Sequence, residues 1–168
     1  MPQDMHPPAK PRFELTAFLS GRTVAWGIFE DRFGRLRRRF DVEMNGSWRD
    51  GAFVLDERFT YDTGETETRT WLVTPLEEGR FRATSDDCVG TAEGECDEDS
   101  IRMSYRFRLK FRDRELVVTF DDRIYRMGDM IAVNRATMSK WGIRLGELSL
   151  FFRREEADDA KRSDRDAA

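Results

Sequence analysis

The sequence predicts an all-β fold, a single antiparallel up-and-down β-barrel of about 8–10 strands with a short N-terminal helix. Three observations lead there. From Ile101 to Phe111 the apolar residues Ile101, Met103, Tyr105, Phe107, Leu109 and Phe111 alternate with Arg102, Ser104, Arg106, Arg108 and Lys110, and a run from Glu115 to Tyr125 answers it across Asp113-Arg114. A period of two sustained that long sets one face of a strand against a core and the other in water. Similar runs fill most of the chain, punctuated by glycine and short polar residues. Composition agrees, because 39% apolar against 37% charged residues in a chain of 168 suits a shell of strands with a solvated outer face.

Taken in order, residues 1–12 carry Pro2, Pro7, Pro8 and Pro11 and read as a disordered tail. Phe13 to Ser20 reads as a short helix with Phe13, Ala17, Phe18 and Leu19 on its apolar side, stopped by Gly21 and placed to close one end of the barrel. Strands follow at Thr23–Asp31, Leu36–Gly46, Ala52–Asp62, Glu67–Thr74 and Arg80–Asp86. Arg32-Phe33-Gly34, Asn45-Gly46, Asp50-Gly51, Thr63-Gly64 and Glu78-Gly79 supply the reversals. Cys88 to Asp99, with Gly90, Gly94 and an acidic run, is either an irregular strand or a mobile loop. The central hairpin comes next, then Met130–Met138 and Arg144–Arg153 around Ser139-Lys140-Trp141-Gly142. The barrel domain thus spans 13–153, and 154–168 is a charged disordered tail. Trp26, beside Gly27, reads as core packing on the barrel floor.

Several functions are disfavoured by what the chain lacks. A net charge of −4, from 33 acids and 29 bases, argues against a general polyanion binder. The run Arg35, Arg37, Arg38, Arg39, with Leu36, Phe40, Val42 and Met44 interleaved, reads as the exposed face of a strand, and no helix, zinc spacing or exposed aromatic platform accompanies it, so no nucleic-acid partner is expected. His6, the single histidine, sits in the Pro-rich tail, which removes histidine triads and ordinary histidine-ligated zinc. No nucleophile elbow, phosphate loop or dinucleotide fingerprint is present, and no cofactor or metal is expected. No run reaches the roughly 20 apolar residues of a bilayer span, and no secretory signal opens the chain. The expected location is therefore the cytoplasm, with peripheral membrane contact left open and Cys88 and Cys96 as free thiols.

The candidate site comes from polar residues that interrupt apolar rows. Glu57 shares a row with Phe53, Leu55, Phe59 and Tyr61. A buried unpaired carboxylate costs several kcal/mol or takes up a proton, so it needs a partner. Arg69, on a face with Trp71 and Val73, is the nearest candidate. The register that buries most pairs Phe59 with Arg69 and Glu57 with Trp71, leaving Arg69 diagonal to Glu57, through a glycine bulge at Thr63-Gly64-Glu65. Asp122 breaks the row of Leu116, Val118, Phe120 and Ile124, Asn134 the row of Met130, Ala132, Ala136 and Met138, and Arg38 the row of its own strand. Glu57, Arg69, Trp71, Tyr105, Asp122, Asn134 and Arg38 are thus the candidate ligand-binding residues. No catalytic residue is assigned. The competing account makes the ionic members satisfied pairs that fix strand register. Met103, Met127, Met130 and Met138 either soften a cavity wall or fill gaps.

Phe18-Leu19-Ser20-Gly21 with Trp26-Gly27, then Asp56-Glu57, Phe59, Tyr61, Gly64, Arg69 and Trp71, then Asp87, Val89-Gly90, Ala92 and Gly94 form an ordered set, continued by Asp121-Asp122, Asn134-Arg135, Met138, Lys140, Gly142 and Gly146. Over residues 13 to 153 this set resembles DUF3833, a bacterial family of unknown function. The resemblance implies a lipocalin- or calycin-like barrel. Many members are described as lipoproteins, and this chain departs from them in showing no lipobox cysteine after an apolar signal. Relatives resemble proteins encoded beside fatty-acid-modifying methyltransferases and oxidative-stress regulators, which implies a lipid-linked role by association. The family has no established catalytic residue, so the resemblance transfers positions without roles.

Together these readings lead first to a non-catalytic barrel that holds an apolar small molecule, a fatty acid or modified lipid, with Arg69 orienting an anionic head and Glu57 or Asp122 holding the arginine. A second expectation is an enzyme of fatty-acid modification with Glu57 or Asp122 as general base. A third is an interaction module on a membrane-associated assembly. A continuous interior cavity of a few hundred Å³ would support the first two.

Overall fold

A computed structural model describes residues 11–111 and 113–156, with the backbone alone at Phe111. The two expected tails lie for the most part outside the described residues. Within these residues the chain forms ten strands: β1 (Gly21–Asp31), β2 (Leu36–Arg49), β3 (Ala52–Tyr61), β4 (Thr66–Pro75), β5 (Arg80–Thr84), β6 (Cys88–Cys96), β7 (Ser100–Phe111), β8 (Arg114–Arg126), β9 (Ile131–Lys140) and β10 (Ile143–Arg154). Each pairs antiparallel with the next, and β10 returns to β1 over Thr23↔Arg154 to Asp31↔Gly146, so the barrel is closed. Closure leaves no strand edge to template pairing with another chain. The all-β, up-and-down barrel expected from the alternation is the fold observed.

Side chains alternate as the pleat requires. Phe53, Leu55, Phe59, Trp71, Val73, Phe107, Val118 and Phe120 turn inward and are buried. The helix is shorter than expected: α1 covers only Leu15–Phe18. Leu15 is buried in the place foreseen for Ala17, which is exposed. With Phe13, Phe18 and Leu19, Leu15 fills one end of the barrel. Phe13 is tied there by its N–H to Asp97 O (2.8 Å) and by the Arg126 guanidinium over its ring (5.0 Å). At the opposite end the inward residues Phe29, Tyr61, Leu109, Leu116 and Leu148 are only partly buried. That end is the mouth.

Several local expectations change. Asn45-Gly46 makes no reversal but lies within β2, which runs on to Arg49, and the turn falls at Asp50-Gly51, both at positive φ. Gly46 faces the plug, where a Cβ would sit 2.1 Å from Leu19 O and 2.6 Å from the Phe53 ring. The glycine there admits a backbone rather than a bend. Cys88 to Cys96 is a true strand, irregular as one alternative held, with its register slipping between Val89 and Glu93. Trp26 is not core: it points outward from β1, 43% exposed, with its ring 6.2 Å from Phe151. Gly27 takes the inward position beneath the Phe40 ring, and a tryptophan one residue earlier must face the other way. Arg154 belongs to β10, and Glu155 continues the contact through its N–H to Arg22 O (2.9 Å).

Candidate functional site

The lumen is walled by aromatic residues brought together by the sheet order. β4 and β7 are separated by β5 and β6, whose inward residues include the small Ala83 and Ala92. Over this low stretch of wall Trp71 reaches Tyr105, ring centroids 5.4 Å apart and edge to face, and Tyr105 packs on Phe120 at 5.5 Å. Gly94 lets the Phe81 ring lie flat against the sheet. The enclosed cavity is about 140 Å³ and opens in part to solvent. This is smaller than the few hundred Å³ expected. A volume of that order holds one benzene-sized body.

Into this lumen the strands turn a set of polar groups. Glu57 stands directly opposite Arg69, with Leu55 opposite Trp71 and Phe59 opposite Glu67. This corrects the expected register by two residues along β4, a slip that keeps every side chain on its face. The hairpin is the cause: Gly64 N–H bonds Tyr61 O (2.9 Å) and Tyr61 N–H bonds Glu65 O (2.9 Å), with Gly64 at φ +85°. That is a tight turn closed by a glycine bulge. The bulge around Gly64 was foreseen, but the register it sets was not.

Arg69 is held on all sides. Its Nη1 lies 3.9 Å from Glu57 Oε2, its Nη2 3.3 Å from Glu67 Oε1, and its guanidinium sits between the rings of Phe59 (4.8 Å) and Phe107 (4.4 Å). Glu67 also accepts from the Tyr61 hydroxyl at 2.8 Å. On the far wall the Tyr105 hydroxyl donates to Asp122 Oδ2 at 3.4 Å, and Asn134, 5% exposed, lies diagonal to Asp122 across β8 and β9. Asp122 Oδ1 and Asn134 Oδ1 are buried without a hydrogen-bond partner.

Burial dominates the electrostatics. It pushes the Glu57 carboxyl up to about 7, against the opposing pull of Arg69 and the Trp71 indole. Asp122 is also pushed up to about 7 by burial, although Asn134 and Tyr105 favour its charged form. Tyr105 is raised well above the ordinary phenol range by burial and by Asp122. Two carboxyls in one lumen therefore change charge near neutrality. Such tuning is common at functional sites and also occurs in structural networks.

A family model for DUF3833, described as a protein of unknown function, matches residues 2–154. The chain belongs to the DUF3833 family. Curated proteins offer no match. Among solved structures this DUF3833 barrel is similar to the S-type phycobiliprotein lyase CPES from Guillardia theta, with a TM-score of 0.59 at 9% identity over 84% of this chain and 91% of that one. It is similar too to a DUF3598-family protein of unknown function from Nostoc punctiforme, TM-score 0.62 at 12% identity, over 88% of this chain and 53% of that one. At such identities the shared property is the barrel.

Six of the seven candidate residues, Glu57, Arg69, Trp71, Tyr105, Asp122 and Asn134, line the lumen of the DUF3833 barrel together. Arg38 does not. It lies at the mouth, its side chain 44% exposed, 3.9 Å from Glu65 and over the Tyr61 ring, because its position in β2 falls beyond the last enclosed layer. Glu67 was missed, though it precedes Arg69 by two residues and so shares its face. A larger hollow of about 380 Å³ lies on the outer wall between Trp26 and Phe151. It borders none of the lumenal cluster.

Proposed function

We propose that this DUF3833 protein binds a small, largely apolar molecule in its lumen and does not transform it. The observation that carries this reading is the pairing of a partly open aromatic cavity with ionisable groups that a purely structural interior could replace by apolar side chains without loss. The lining formed by Phe40, Phe59, Trp71 and Tyr105 supplies apolar contact, and the polar groups supply orientation. A ligand of lipid character fits with a ring-sized or short-chain portion enclosed and the remainder leaving through the mouth, since about 140 Å³ is available inside. Arg69, already paired with Glu57 and Glu67, has little charge left for a carboxylate head.

Native mass spectrometry of gently purified protein, with solvent extraction of the same sample, tests this reading. A discrete non-covalent adduct that extraction removes, and that a Trp71→Ala variant no longer carries, is the expected outcome. Bare protein in every preparation, with no displacement of an environment-sensitive dye from the lumen, overturns it.

A second reading, catalysis with Glu57 or Asp122 as general base, is favoured by both carboxyls standing near 7. A barrel of the same fold in a phycobiliprotein lyase is compatible with it. Under that reading Glu57→Gln abolishes turnover of the extracted ligand while leaving its affinity near wild type. A loss of both in step with thermal stability assigns Glu57 a structural role.

A further inference from the structure

The lumen's unmet polar demand is lopsided. Its donors face carboxylates: the Tyr105 hydroxyl donates to Asp122 Oδ2, Arg69 Nη2 donates to Glu67, and Arg69 Nη1 is ion-paired with Glu57 at 3.9 Å. Arg69 Nε has no oxygen partner, but its guanidinium is stacked between Phe59 and Phe107. The acceptors differ. Asp122 Oδ1 and Asn134 Oδ1 are both buried, both line the same cavity and both lack a donor. A buried acceptor left unmatched costs about 1–3 kcal/mol, and native interiors rarely keep two side by side without a partner. At pH 8 charge points the same way, since Glu57 and Asp122 line the cavity against Arg69. Trp71 and Tyr105, which line the cavity, are also rings of the kind that attract a cation.

Resting on the reading that the lumen binds a small molecule, we infer that its ligand carries a neutral or cationic hydrogen-bond donor, an amine or hydroxyl on a ring-sized apolar body, directed at Asp122 Oδ1 and Asn134 Oδ1. An anionic head is excluded by the same groups. A carboxylate or phosphate placed there meets lone pairs on both sides and a carboxyl that ionises near neutrality. This reverses the polarity foreseen from Arg69 alone.

Four probes of similar size separate the possibilities at pH 8: benzylamine, benzyl alcohol, benzoate and toluene, titrated against the intact chain by ligand-observed NMR. The expected order has benzylamine and benzyl alcohol at least about ten-fold tighter than benzoate, the scale of a hydrogen bond to a charged group. Asn134→Leu and, as a gentler change, Asp122→Asn weaken benzylamine several-fold while toluene binds as before, which shows the lumen intact. Benzoate binding as tightly as benzylamine overturns the inference. So does equal weakening of toluene and benzylamine in the variants, or binding of toluene alone, and in these cases lumenal binding itself stands. Failure of all four probes to bind overturns both readings.

Discussion

Asp122 carries the clearest consequence for stability, because its carboxyl moves from an ordinary 3.8 to about 7 on burial. Between those values the folded chain holds a proton that the unfolded chain has released, so stability falls as pH rises across that window and stays lowered above it. The shift sets an upper limit of roughly 4 kcal/mol on the loss. Asp122→Asn removes the titration while keeping the shape. The expected result is a urea midpoint above wild type at pH 8, a gap that narrows as pH falls through the window and closes only below the ordinary aspartate value of 3.8. Glu57 behaves differently despite a similar shift, since its neutral variant takes from Arg69 one of the two carboxylates paired with it among the described residues, leaving Glu67. Glu57→Gln therefore gains less at pH 8 than Asp122→Asn, and a gain as large in chemical denaturation contradicts the pairing described for Arg69. Asp31 is shifted the opposite way, against desolvation, by the backbone N–H of Arg35, the Arg37 guanidinium and the backbone N–H of Phe33. Its contribution is lost only as pH falls below the ordinary aspartate range.

At the level of elements, what the sequence revealed and concealed follows from the kind of information each feature needs. Alternation identified the strands, since a period of two is a local property of a chain with one wet face. Pairing between strands is not local. The β3–β4 register depends on which four residues form the turn, and Asp62-Thr63-Gly64-Glu65 permitted more than one solution until Gly64 took positive φ. Gly46 was misread for a related reason: Asn-Gly is a strong turn signal, yet here the missing side chain serves the carbonyl of Leu19 packed against it. That contact gives a prediction. In Gly46→Ala the methyl group meets a backbone oxygen and the Phe53 ring, neither of which can leave without unseating the plug formed by Phe13, Leu15, Phe18 and Leu19. Overpacking of this sort costs typically about 1–3 kcal/mol. The expected observation is a lower melting temperature together with faster amide exchange at Leu19 and Phe53, while amides at the mouth exchange as in wild type. Uniform acceleration around the barrel contradicts a local plug.

On the scale of the molecule, closure of β10 on β1 ties every strand to two neighbours, so no element can leave alone without breaking two ladders. The candidate site was legible at this scale as a set of polar residues on apolar rows, four of which, Glu57, Arg69, Asp122 and Asn134, share one lumen. Its ligand polarity was not legible, because that depends on which lone pairs remain unmatched after folding. Cys88 and Cys96 report on closure directly. They are free, buried, and sit at opposite ends of β6, about 26 Å apart at ~3.3 Å per residue, too far to bridge. Burial raises both thiols, Cys96 to about 11, so neither is an appreciable thiolate at pH 8. If the barrel opens as one unit, a thiol reagent labels both at a single rate set by global unfolding, and a lumenal ligand slows both by the same factor. Labelling followed by mass spectrometry resolves the two positions. Cys96 reacting well ahead of Cys88 would show the plug end opening independently, and a ligand that protects Cys88 alone would place its anchoring at the mouth rather than at Asp122 and Asn134.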